Sequence, residues 1–265
     1  MKLTHELVGP VEIPERPRRV VSLAPNATDA IFFLGLGDLL VGRSAFCWRP
    51  EAAEGLPVVS SYTKVRWELL EELAPDLVLT TTAVQRETTR ELAERGYPVW
   101  SIPLPNSPWG ILENLHTLAA LLDGKGAAVA AGLARRYLDL AGALAGVRVY
   151  LEYDLGGPIT IGRGAFMHAT LEHLGAVNVY TDRAEAYFSP ELERVPALAP
   201  DLLVFEPKRI RNREKQLEAV RQKLADRGWN GMRWTATRGD ELAHFGPLFF
   251  DYLERWLAEA RAVMK

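Results

Sequence analysis

Few residues in this 265-residue chain stand where they could make or break bonds. The single cysteine, Cys47, excludes an internal disulfide and a cysteine cage for zinc or an iron–sulfur cluster. No histidine lies beside it in sequence. His168 and His173 are five positions apart, so one helix face cannot present them as a metal pair. Gly35-x-Gly37 and Gly162-x-Gly164 lack the third glycine of a dinucleotide loop, and no glycine-rich turn runs into Gly-Lys-Ser/Thr. A Gly-x-Ser-x-Gly elbow is also missing. Glu241 with His244 is the one pairing with metal-binding character. The expectation is a chain with no catalytic residue, no bound metal and no cofactor: not an enzyme.

What the residues can do is hold a small molecule. Asn26 opens the first helix, beyond the carboxyl end of a strand, where parallel sheets bind ligands. It fits a plain helix cap equally well. Phe46, Trp48 and Tyr62 follow short strands in the first half of the chain. Tyr153, Phe166 and Tyr187 occupy comparable places in the second. Flat aromatic walls suit a broad, partly apolar ligand, although each ring could instead pack within its own half. Arg163, in a glycine-flanked turn, could face the same ligand.

The composition is that of a soluble, core-forming protein: 48% hydrophobic and 25% charged residues, with a formal net charge of −3. That charge gives no basic footprint for nucleic acid or an anionic membrane. No apolar run reaches the length of a membrane span. The opening residues, Met1 to Glu6, lack the apolar core of a secretory signal, which leaves two readings open: the natural protein stays inside the cell, or its leading segment is missing from this sequence; only the family resemblance given below implies a periplasmic or cell-surface location. Nothing suggests an oligomer, and a monomer is expected.

The elements that must position these residues alternate. Strands are expected at 18–23, 40–43, 58–59, 76–81 and 99–102, with helices at 27–34, 67–73, 87–95 and 107–122. Asn26 and Asp29 have a cap-and-box spacing for the first helix. This is the pattern of a parallel sheet covered by helices. Residues 127–144, rich in alanine and leucine, predict one helix of about twenty residues, roughly 30 Å long. Strands at 147–153, 159–161, 177–179, 202–205 and 232–236 follow, with helices at 166–174, 211–227 and 247–264.

One phrase recurs on both sides of the long helix. Glu68-Leu-Leu-Glu-Glu-Leu-Ala-Pro75-Asp76-Leu-Val-Leu is matched by Glu193-Arg-Val-Pro-Ala-Leu-Ala-Pro200-Asp201-Leu-Leu-Val. In each, a glutamate starts a short helix, Ala-Pro-Asp turns the chain, and a buried strand follows. Two such phrases imply two similarly built halves.

These phrases, in order, carry a family resemblance. Arg18-Arg-Val-Val-Ser-Leu-Ala-Pro25-Asn-Ala-Thr-Asp29 and Leu34-Gly-Leu-Gly-Asp-Leu-Leu-Val-Gly42 resemble the opening of helical-backbone (class III) substrate-binding proteins of ABC importers. Gly162-Arg-Gly-Ala-Phe, Leu174-Gly-Ala-Val-Asn178-Val and the two Ala-Pro-Asp corners extend the likeness over nearly the whole chain. Phe46-Cys-Trp-Arg-Pro50 and Val59-Ser-Ser-Tyr62 are most similar to the cobalamin-binding branch. Trp48 and Arg49 depart from it, standing where that branch has an Asp-Tyr pair.

The resemblance implies an α/β fold of two Rossmann-like lobes, residues 1–122 and 147–265. A single backbone helix, 123–146, would join them, with a ligand cleft between the lobes and only slight relative motion. It implies a small-molecule ligand, cobalamin or a related corrinoid or tetrapyrrole, with a ferric siderophore or haem as the rival. Phe46, Tyr62 and Tyr187 fall at aromatic contact positions. His244 stands where many relatives carry an arginine that meets a polar part of the ligand, and it could donate a hydrogen bond or ligate a bound metal complex. Glu68 and Glu193 match the glutamates that dock on the two subunits of an ABC permease dimer, though each also suits a helix N-terminus. Two other readings stay open. One is a tetrapyrrole metal chelatase-like enzyme; the other is a cytoplasmic relative that sequesters its ligand.

Overall fold

The computed structural model describes residues 1–82, 84–122, 126–210 and 212–265. The first three residues of the expected connecting helix, 123–125, lie outside the described residues, as does Arg211, the expected start of a later helix. The chain forms two compact units. One comprises Met1–Pro105, Trp109–Ala134 and Phe245–Leu248; the other comprises Asn106–Pro108, Arg135–His244 and Phe249–Lys265. The chain passes from one to the other at Ala134/Arg135, inside the segment expected to connect them.

The first unit opens with an unforeseen antiparallel hairpin, β1 (Lys2–His5) and β2 (Gly9–Glu12). Its main sheet contains β3 (Val20–Ser22), β4 (Leu40–Ser44), β5 (Val58–Ser60), β6 (Leu77–Thr81) and β7 (Val99–Ile102). They pair in the order β5-β4-β3-β6-β7, all parallel. The order reverses at β3/β6, the place where open parallel sheets gather ligands. Between the strands run α1 (Pro25–Phe33), α2 (Trp67–Leu73) and α3 (Arg86–Glu94), followed by α4 (Pro108–Leu122) and α5 (Gly126–Asp139). Every residue of β6 is buried, as expected of a strand covered on both faces. Leu70 of α2 and Leu92 of α3 pack on Val21, Val59, Val78 and Val99.

Asn26 does not cap α1. The helix starts two residues earlier than expected, with Pro25 in its first turn and Ala24 at the cap position, and no side chain caps it. Proline fixes φ for that place and has no N–H to satisfy, so the helix begins there. The Asp29 carboxylate, expected to complete a box, accepts the Leu248 N–H at 2.8 Å instead.

The connecting helix is shorter than expected. α5 stops at Asp139, and turns fill 140–146. Gly142 (φ +71°) and Gly146 (φ +76°) take left-handed backbone that ends a helix.

The second unit contains β8 (Arg148–Asp154), β9 (Pro158–Ile161), α6 (Phe166–His173), β10 (Val177–Asn178) and β11 (Tyr187–Phe188). Then come β12 (Leu202–Glu206), α7 (Arg213–Asp226), β13 (Trp234–Ala236) and α8 (Leu248–Met264). The path is β11-β9-β8-β12-β13, with β10 also on β8. The pairs β8–β12, β12–β13 and β8–β10 are parallel. β9 turns back on β8, and both its pairings are antiparallel, because only Leu155–Gly157 separates the two strands. α7 lays Val220 and Leu224 on Tyr150, Leu203, Phe205 and Ala236. Ala74 (φ 43°) and Ala199 (φ 47°) hold both Ala-Pro-Asp corners in the same left-handed turn. Among the described residues, no helix is long and apolar enough to cross a membrane.

Candidate functional site

In the first unit, the loops at the carboxyl ends of β3, β4, β5 and β6 are tied together by two buried side chains. Cys47 puts its thiol 3.2 Å from the Ser44 hydroxyl and 3.5 Å from the Ser22 carbonyl, which fastens the loop after β4. Burial raises its thiol pKa above the ordinary value, so it is a structural anchor and not a nucleophile. Gln85, fully buried, donates from Nε2 to the carbonyls of Leu23 and Tyr62, each at 2.9 Å, and accepts the Thr81 N–H.

With these anchors in place, Phe46 is left 49% exposed, its ring edge-on to Tyr62 at 5.0 Å. Trp48 is half-buried beneath the Arg49 guanidinium, 4.1 Å from its ring centre. Asn26 is buried, with its Nδ2 lacking a hydrogen-bond partner.

In the second unit, Tyr153, near the end of β8, is buried, and Tyr187 on β11 is 46% exposed with its ring 6.2 Å away. Burial first, then the nearby charge of Glu206, raises both phenol pKa values. Glu206, the last residue of β12, was not singled out in the sequence. Its buried carboxylate accepts the N–H groups of Leu242 (2.6 Å) and Ala243 (2.8 Å) and the Thr237 hydroxyl (3.0 Å). Burial nonetheless pushes its pKa up to about 7. These bonds fix the loop that carries Glu241 and His244.

Both Glu241 and His244 are buried. The Arg255 guanidinium reaches Glu241 Oε1, and Oε2 accepts the Arg238 N–H. His244 lies edge-on to Tyr252 at 5.7 Å. Among the described residues, no group of three or more His, Cys, Asp or Glu could hold a metal ion. The chelatase reading needs such a group.

Arg163 is not brought to this end of the sheet. β9 runs antiparallel to β8, so residues past Ile161 lead towards the start of β8, and the exposed Arg163 pairs through its N–H with the Arg183 carbonyl. Phe166, at the start of α6, is buried edge-on against Phe249 at 4.8 Å. Glu68, in the first turn of α2, and Glu193, in a short turn of 3₁₀ helix, are both exposed.

The structure adds residues that the sequence did not flag. Val84 follows β6 and Leu104 follows β7; Leu155 follows β8 and Ile210 follows β12. All are large apolar side chains left exposed, Leu155 by 72%. Single exposed apolar residues are ordinary. Two such loops in each unit, with Phe46 exposed in the first and Tyr187 in the second, are a pattern. No local sequence signal distinguishes them, because their exposure depends on strand direction.

Known proteins share this architecture. The periplasmic vitamin B12 binding protein of Vibrio cholerae superposes with a TM-score of 0.74 over 95% of this chain and 100% of its own, at 22% identity. The periplasmic haem-binding protein of Roseiflexus in its apo form gives 0.77 over 94% and 99%, at 23% identity. At these identities the likeness establishes the fold: two α/β lobes of largely parallel sheet flanked by helices. A cobalamin-binding protein of Halobacterium salinarum is 32% identical over 207 residues, 73% of this chain, and the chain spans 55% of that relative's length. Residues 20–244 match the family of periplasmic binding proteins, which bind solutes, and the chain belongs to that family.

Proposed function

We propose that this chain is the solute-binding protein of an ABC importer and takes up cobalamin or a related corrinoid, without catalysing a reaction. The observation that carries this reading is the apolar set at the strand ends: Phe46, Val84 and Leu104 in the first unit, Leu155, Tyr187 and Ile210 in the second. Such side chains suit the body of a broad macrocycle, and the anchored polar groups around them orient it. The cobalamin-binding relative from Halobacterium salinarum supports the choice of ligand. Asn26, Tyr62, Trp48, Tyr153, Glu241 and His244 are assigned to the ligand with it. Glu68 and Glu193, one exposed on each unit, are assigned to the two subunits of a permease, where paired carboxylates suit paired cations. This role places the protein outside the cytoplasmic membrane.

The test mixes the protein with cyanocobalamin and separates free ligand by gel filtration. Retention of one equivalent of corrinoid colour is expected; its complete absence from the protein peak rejects the ligand. Haem is the second reading, favoured by the superposition on the Roseiflexus protein, and the same column run with haem decides it.

A further inference from the structure

The second unit contains a hollow of about 100 Å³. Its apolar walls are Tyr180, just past β10, Phe188 on β11, and Leu198; Asp182, Arg183, Glu191 and Arg194 supply charge. None of these walls belongs to the loops that follow β8, β12 or β13. Phe188 is the chain neighbour of Tyr187, and successive side chains of a strand face opposite sides of the sheet, so the two rings serve different faces.

One wall holds a polar group that the fold leaves unpaired. Tyr180 is 8% exposed, edge-on to Phe188 at 5.1 Å, and its buried hydroxyl has no hydrogen-bond partner. Buried hydroxyls are ordinarily paired, and an unpaired one costs on the order of 1–3 kcal/mol. Burial first, then the charge of Glu191, raises the phenol pKa, so the group stays neutral and can accept a hydrogen bond. Arg194, Arg183 and Asp182 also act on the phenol, and all four of these charged residues are walls of the hollow. The hydroxyl therefore belongs to the hollow electrostatically as well as by position.

The local charge is negative. Residues 180–194 hold four acids, Asp182, Glu185, Glu191 and Glu193, against two arginines. Both arginines are committed: Arg183 pairs with Glu185 at 2.8 Å and lies over the Phe188 ring, and Arg194 pairs with Glu191 at 3.3 Å. Among the described residues, Asp182 and Glu193 form no ion pair. What remains to meet a ligand is two carboxylates, a phenol oxygen and apolar walls. We infer that this hollow binds an organic cation, a guanidinium or an ammonium on a short apolar stem, with the Tyr180 hydroxyl accepting from its N–H and Asp182 answering its charge. A free amine and a basic side chain of the permease offer the same chemistry. The site does not rest on the docking role of Glu193; only the second source does.

Tyr180→Phe keeps the ring and removes a hydroxyl with no partner to lose, so its unfolding midpoint should equal or exceed that of the wild type. Agmatine, an alkyl guanidinium, is titrated into the full chain at constant ionic strength. It is expected to move the amide signals of Tyr180, Asp182 and Ser189 in the wild type to saturation. Tyr180→Phe and Asp182→Asn should each bind it about tenfold more weakly. Amide signals that stay still overturn the site, as does an affinity unchanged in either variant. The reconstituted importer then reads the source. A permease side chain requires Tyr180→Phe to weaken stimulation of ATP hydrolysis, whereas a free amine leaves stimulation as in the wild type. The agmatine titration needs neither corrinoid nor permease, so the site stands or falls apart from the proposed function.

Discussion

Arg19 and Arg148 do the same work in the two units. The Arg19 guanidinium donates to the carbonyls of Leu73 and Ala74 at the end of α2, and Arg148 donates to those of Leu198 and Ala199. The aspartate two residues past each alanine answers by accepting backbone N–H groups. Asp76 takes those of Arg18 and Arg19, and Asp201 takes that of Arg148. Each unit thus locks the first strand of its sheet to the corner before a neighbouring strand. Asp76→Ala and Asp201→Ala are each expected to cost about 1 kcal/mol, the typical net value of such bonds at partly exposed sites. Urea unfolding midpoints check this, and a variant as stable as the wild type contradicts the shared role.

The ligand assignment separates exposed from buried rings. Phe46 and Tyr187 are each nearly half exposed, so removing either has little to cost in folding. Phe46→Ala and Tyr187→Ala should each weaken corrinoid binding roughly tenfold while leaving the unfolding midpoint near that of the wild type. Isothermal titration beside a denaturation curve reads both. A loss of stability without a loss of affinity would make these rings packing residues.

Much of the fold was legible because it rests on local signals. α2 is readable to the residue, since Ala-Pro-Asp must end it, and the two copies of that phrase disclosed the duplication. α5 was overextended because Ala-Gly-Ala-Leu-Ala-Gly has helical composition, and composition does not report that Gly142 and Gly146 adopt positive φ. The direction of β9 was hidden, because a short apolar run reads alike in parallel and antiparallel pairings. That one unknown misplaced Arg163. Glu206 and Gln85 were missed for a different reason: a lone polar residue reads as solvated until tertiary structure buries it against backbone groups.

Cys47 gives a chemical check on the loop that carries Phe46. Its thiol is buried, hydrogen-bonded and raised in pKa by that burial. Ellman's reagent at neutral pH should therefore release almost no colour from the native protein and one equivalent after unfolding in guanidinium. Rapid labelling of the native protein would mean that the loop opens readily and cannot hold Phe46 against Tyr62.

Docking and ligand retention should separate at Glu68 and Glu193. Both are exposed and neither belongs to the strand-end loops. Charge reversal by Glu68→Lys with Glu193→Lys is expected to leave corrinoid affinity unchanged. It should abolish stimulation of ATP hydrolysis by the reconstituted importer, because each reversal turns attraction into repulsion. Stimulation that survives the double reversal removes these residues from the interface.

Glu206 makes the second unit sensitive to pH. Its folded pKa is about 7 against an ordinary 4.5, so folding favours the protonated acid. The stability it contributes is fully present below about pH 4.5, falls as the pH rises, and is lost above about pH 7. The difference corresponds to on the order of 3 kcal/mol at most. Burial drives this shift; the N–H groups of Leu242 and Ala243 oppose it, and the Asp240 charge adds to it. Glu206→Gln removes the titration and should flatten the decline in unfolding free energy expected of the wild type between pH 5 and 8. An equally steep decline in the variant would show that other groups set the pH dependence, and that the Glu206 carboxylate is ionised, held by its N–H donors, throughout this range.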